Sequence, residues 1–172
     1  MLLLIHRKPN QRGFTQLEMV MVVVIMGVLA VFIAPSFNNN GSGSYGNIFY
    51  ARGFHDETLA LLRFGQKSAI AQRRTVCVVF SDTVSVSLRI AANAATPTCN
   101  TDLQGPKGDT APGGTVTAKG DAIFSVIPES FNFDGLGQPV DALSYLVNSQ
   151  TIQVVNAAKA ITVEAVTGYV HD

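Results

Sequence analysis

Sixteen consecutive residues, Met19 to Ala34, read MVMVVVIMGVLAVFIA and carry neither a charge nor a polar side chain. A helix that is apolar on every side needs lipid or a partner's apolar surface around it. With its flanks, Phe14 to Phe37, the segment is 24 residues long, about 36 Å of helix at ~1.5 Å per residue. That length crosses a hydrocarbon core of ~30 Å. Arg7, Lys8 and Arg12 precede the run, so the N-terminus is expected on the cytoplasmic side with the remainder across the membrane. Glu18 does not suit a plain anchor. It stands at the head of the run, where an unpartnered carboxylate costs ~2.5–3.5 kcal/mol even on a lenient insertion scale.

A basic start followed by an apolar run is also the layout of a cleaved secretory signal. Three features argue against ordinary cleavage: the acid at the boundary, the lack of a small-x-small site before a sensible mature start, with Pro35 where one would be expected, and the length of the helix. The chain has 12 basic and 12 acidic side chains, a formal net charge of zero. Without the three leading bases, nine basic side chains face twelve acidic ones. That balance argues against a general attraction to nucleic acid. A length of 172 residues accommodates one domain with a core in addition to an anchor.

Gly27 and Pro35 punctuate the apolar helix, and proline bends or breaks it by removing a hydrogen bond. The polar stretch NNNGSGSYGN, Asn38 to Asn47, is poor in helix formers and opens an expected flexible neck over 38–54. Its GSGSYG formally matches G-x-G-x-x-G, but no strand precedes it and no acid lies about 20 residues on, so a nucleotide site is not expected. From His55 to Arg74 a helix is predicted, with Asp56 as its cap and Leu59, Leu62, Ala69 and Ile70 on its apolar stripe. TVCVVF (75–80) and VSVSLRIA (84–91), joined by SDT, read as a hairpin. Residues 92–121 read as one Pro- and Gly-containing loop, whose GPKGDT breaks off before a third collagen triplet. Short strands are expected at 122–127, 130–134, 144–147, 151–155, 161–164 and 168–170. The fold class is then α+β: a broken or kinked N-terminal membrane-spanning helix with a small antiparallel β-sheet head.

Catalytic machinery does not emerge from the pattern. His6, His55 and His171 have no metal-ligand spacing, and no serine lies in G-x-S-x-G. Asp134 lacks the alternating oxygen donors of a calcium loop. Asp102, Asp109 and Asp121 read as loop solubilisers. No cofactor, no metal and no small-molecule substrate is implied.

RGFTQLEMV, Arg12 to Val20, resembles the cleavage and methylation motif of type IV pilins and type II secretion pseudopilins. The resemblance implies a type IV pilin-like protein. A leader, 1–13, would be cut by a membrane-embedded prepilin peptidase after Gly13, and the new N-terminus, Phe14, would be N-methylated. A transmembrane and assembly helix over 14–37 follows, then the neck over 38–54 and a periplasmic head over 55–172. Glu18 matches the family's assembly glutamate. Its carboxylate would meet the α-ammonium of a neighbouring subunit, two charges each costly alone in an apolar setting and far less so when paired. The implied partners are other pilin or pseudopilin subunits, the inner membrane and the peptidase. AIAQRRTVCVVF (69–80) and ITVEAVTGYV (161–170) further resemble H-type minor pseudopilins and FimT/FimU-type minor pilins. Taken with ARGFHDETLALLR (51–63), they look most like a minor pilin of mannose-sensitive haemagglutinin pili.

A periplasmic head is an oxidising setting, and Cys77 and Cys99 form the one available pair. A bridge would pin the loop after the hairpin to the first strand. The alternative is two unpaired cysteines, one of them in a buried strand. Two competing functions differ in kind. A membrane-anchored periplasmic hydrolase would keep its leader. A DNA-uptake or adhesion module needs clustered Lys and Arg on the head, where the final hairpin ends GYVHD.

Overall fold

The computed structural model describes residues 15–33, 44–94, 96–105 and 114–172. The chain divides into two compact units, Met1–Gly41 and Ser42–Asp172. In the first unit, α1 spans Gln16–Ile33. It runs through Gly27 as one helix; Pro35 lies outside the described residues. The outer parts of the expected 14–37 segment also lie outside them. Among the described residues no helix is long and apolar enough to cross a membrane.

The second unit opens with α2, Ser44–Gln72, a helix of 29 residues. The neck expected over 38–54 is therefore corrected, because 44–54 is helical and 38–43 lies outside the described residues. The reason is tertiary. Ala51 and Phe54 are buried, and the Phe54 ring centroid lies 4.6 Å from that of Phe124. Burial of such side chains outweighs the weak local propensity of the SYGN stretch. Asp56 is accordingly mid-helix rather than a cap, and its Oδ1 lies 3.0 Å from His55 Nδ1. The buried face of α2 is Ala51, Phe54, Thr58, Leu61, Leu62 and Ala69, the three-and-four spacing of an amphipathic helix. Ile70, expected on that face, is half exposed. The helix closes with Arg73 at positive φ; Arg73 N donates to Ile70 O and Arg74 N to Ala69 O, the paired bonds of a Schellman cap.

Two antiparallel sheets follow, and the architecture is α+β. Alternating burial in β1, Val76–Phe80, and β2, Ser85–Ile90, sets their hairpin register at Val76↔Ile90 through Phe80↔Val86. In its turn, Asp82 Oδ1 accepts from Val84 N (2.8 Å) and from Ser85 Oγ (2.9 Å). The single loop expected over 92–121 is corrected too. It contains β3, Thr101–Asp102, and β4, Thr115–Thr117, which pair with different halves of β2. These strands are two and three residues long, too short to show an alternation. On the other side of β1 lies β5, Phe131–Phe133, followed by β6, Pro139–Val140. The second sheet comprises β7, Gln150–Ile152, β8, Ile161–Val163, and β9, Val170–His171. The strands expected at 122–127 and 144–147 reduce to single bridges, Phe124↔Val154 and Val140↔Leu146.

Three side chains fasten the two sheets and α2 to one another through four hydrogen bonds. Gln66 Nε2 donates to Gly137 O (3.2 Å) and to Thr167 O (3.0 Å). Gln138 Nε2 donates to Val166 O (2.8 Å), and Arg63 Nε to Val170 O (2.9 Å). The core cluster they enclose, with Phe80 edge-on to Phe124 at 5.4 Å, lies wholly within Ser42–Asp172. That unit thus has its own core and can fold alone.

Two predictions follow from local geometry. Gly168 has φ +63°, and a Cβ there would collide with the Gly137 carbonyl. Gly53 lies within α2 with nothing within 4 Å of an added Cβ. Urea unfolding of the 42–172 unit should show Gly168→Ala losing at least ~1–3 kcal/mol, and Gly53→Ala gaining ~0.5–1 kcal/mol. The hydrogen bonds from Val84 N and then Ser85 hold the Asp82 carboxyl below its ordinary value. The stability this gives is complete above the unfolded carboxylate pKa and is lost as pH falls through the lowered folded one. The difference in melting temperature between wild type and Asp82→Ala should therefore narrow on acidification below pH ~4. A gap independent of pH would show that the carboxylate charge plays no part.

Candidate functional site

The N-terminal segment concentrates the chemistry. Thr15 caps α1: its Oγ1 accepts from Glu18 N at 3.3 Å, and its carbonyl accepts from Glu18 N (3.0 Å) and Met19 N (3.2 Å). Glu18 is exposed in the first turn, where the positive end of the helix dipole favours an anion. Thr15-Gln-Leu-Glu18 is the T-x-x-E pattern of a capping box. That signal was legible in the sequence, yet the reading above gave Glu18 an intermolecular role only. From Leu17 to Leu29 every large apolar side chain of α1 is exposed, on all sides of the helix. Such a helix supplies no core of its own and requires an apolar environment. Gly13 and Phe14, expected to flank the cleavage point, lie outside the described residues.

In the head, Cys77 and Cys99 are joined by a disulfide with Cα atoms 6.0 Å apart. Cys77 is on β1, in the middle of the sheet, and Cys99 lies just before β3. The bridge holds the chain after β2 across the sheet. Closing 22 residues contributes roughly 3 kcal/mol in the chain-entropy model. Cys99→Ser should lower the melting temperature of the 42–172 unit and speed hydrogen exchange over 92–105, while β1 and β2 keep their protection. Two free thiols in unreduced, denatured protein recovered from an oxidising compartment would contradict the bridge.

The histidines are not brought together. His55 is buried on α2 beside Asp56. His171 Nε2 lies 2.9 Å from Glu164 Oε1, and its ring stacks on Tyr169 at 5.3 Å. Among the described residues no three His, Cys, Asp or Glu side chains are grouped to hold a metal ion.

Residues 8–34 match the family described as the prokaryotic N-terminal methylation motif. The N-terminal segment thus carries a prokaryotic N-terminal methylation motif. Over 34 residues it is 50% identical to type II secretion system core protein G of Klebsiella michiganensis, a match covering 20% of this chain and 24% of that relative's length. The crystal structure of the type IV minor pilin FimU of Pseudomonas aeruginosa is similar at a TM-score of 0.46 and 12% identity, over 70% of this chain and 86% of that one.

Proposed function

We propose that this chain is a structural subunit of a type IV pilus or a type II secretion pseudopilus. It is made as a precursor in the inner membrane, cut after Gly13 by a prepilin peptidase and N-methylated on Phe14. The observation that carries this reading is the methylation motif over 8–34, continuous with a helix whose apolar side chains find no cover of their own. The N-terminus is cytoplasmic and the head periplasmic, in keeping with the bases at Arg7, Lys8 and Arg12. Within the class, the helix-to-strand junction at 69–80 and the closing segment 161–170 favour a minor subunit of the H-type or FimT/FimU type. With 51–63 they resemble the minor pilin MshC of mannose-sensitive haemagglutinin pili, and we infer a subunit of that kind.

Assembly in this reading buries α1 among the α1 helices of neighbours. Cleavage creates an α-ammonium on Phe14, and the Glu18 carboxylate of one subunit receives that of the next. Pairing offsets the desolvation of both charges and fixes the axial register. In a capping box the Glu18 side chain would have a second, purely local role at Thr15 N, and one substitution separates the two. Glutamine can serve a capping box but has no charge to pair. Glu18→Gln should therefore keep membrane insertion and head folding yet lose incorporation into filaments. Normal incorporation of the Gln variant would leave only the capping role. Gly13→Glu should leave a longer membrane-held precursor on a gel. Mass spectrometry finding residues 1–13 on filament-associated protein would overturn the processing step.

A further inference from the structure

We propose that the outer edge of the six-stranded sheet, centred on Leu146, pairs with the same edge of a second copy of this chain. The inference goes beyond the filament reading and does not depend on it. It begins with a tandem repeat, DGLGQPV (134–140) followed by DALSYLV (141–147), with Asp, Leu and Val at matching positions. Both copies fold alike. Asp134 Oδ1 accepts from Leu136 N (2.9 Å) and Gln138 N (2.8 Å); Asp141 Oδ1 accepts from Leu143 N (2.8 Å) and Tyr145 N (2.9 Å). Asp134 N donates to Gln138 O and Asp141 N to Tyr145 O. Gly137 and Ser144 share the positive φ, 84° and 68°. The first copy turns β5 into β6, and the second turns β6 back to lay 145–147 along it.

The second turn leaves a free edge. Asp141 N donates to Tyr145 O and Val147 N to Pro139 O, around the Val140↔Leu146 bridge. In that antiparallel pattern the N–H and C=O of Leu146 point away from β6, and among the described residues no strand meets them. Leu143, Tyr145 and Leu146 are 75%, 68% and 56% exposed. Edge strands are normally guarded by charge, proline or cover. Here no charged residue occurs from Ala142 to Ala158. The opposite edge of the sheet carries the Arg89–Asp102 ion pair at 3.4 Å.

The lack of charge selects the occupant. In a two-fold antiparallel pair residue 146 lies opposite itself, so any charge there would face its own copy. An uncharged apolar edge meets itself without that penalty. The Leu146 N–H of each copy would donate to the Leu146 C=O of the other, and the two leucine side chains would touch on one face. Three residues of edge bury less than the ~800 Å² per partner of a stable complex, so the dimer is weak in free solution.

The test is sedimentation of the 42–172 unit at concentrations up to about 1 mM. Wild type should dimerise with concentration. Leu146→Lys and Leu146→Glu, each with an intact melting transition, should each weaken dimerisation at least ~tenfold. An equimolar mixture of the two should restore it, because a two-fold pair sets one lysine against one glutamate. A wild type monomeric at every concentration, as expected if another protein's strand covers the edge, would overturn the proposal. So would a dimer that neither variant weakens, or a mixture that stays monomeric.

Discussion

Everything in the head leans on one face of α2. Its small and apolar residues, from Ala51 to Ala69, close one side of the core beneath β1, β2 and β5. On the same helix, Gln66 and Arg63 reach three main-chain carbonyls of the β5–β6 turn and the last hairpin. A buried carbonyl without a donor costs more than a net hydrogen bond returns. These two side chains therefore settle where the small sheet can sit. Gln66 repeats at helical spacing with Leu62 and Ala69 because it too faces inward, with its amide satisfied.

The two units solve the same problem in opposite ways. The head buries its own apolar surface and keeps its polar groups bonded. The described part of α1 buries almost nothing itself and carries its one charge at the capped end. A chain so divided folds its head independently of whatever surrounds α1. Under the proposed function α1 would be surrounded by lipid before assembly and by other helices after it, while the head, with its own core, would keep the same structure in both.

What the sequence revealed depended on period and length. The β1–β2 hairpin alternates over five or more residues with a three-residue polar turn, and was readable. The segments around β5, β7 and β8 were located to within a residue or two at each start, because each centres on aromatic or β-branched residues. Residues 44–54 were misjudged because they open on Ser, Gly and Asn directly after the polar run NNNGSG, whereas Phe54 against Phe124 decides their conformation. β3 and β4 were invisible, since strands this short borrow their order from β2. β6 was concealed by Pro139, which reads as a turn residue yet still pairs with Phe133. At the candidate site the Gly13–Glu18 pattern was legible as chemistry. The Thr15 cap and the tandem heptapeptide were equally present and were passed over, because each becomes informative only when its hydrogen bonds are seen.

The disulfide also bears on mechanical load. In the proposed filament, tension on a subunit held through its N-terminal helix would run along α2 into β1 and reach Cys77 first. Beyond that point the covalent bridge carries the force directly to Cys99. The 22-residue separation, about 75 Å of contour at ~3.3–3.6 Å per residue, cannot be paid out as slack. The β1–β2 hairpin sits inside this bypass, so tension that peels α2 from the sheet stops short of the central strands. The bridge thus converts the middle of the sheet into a mechanical stop.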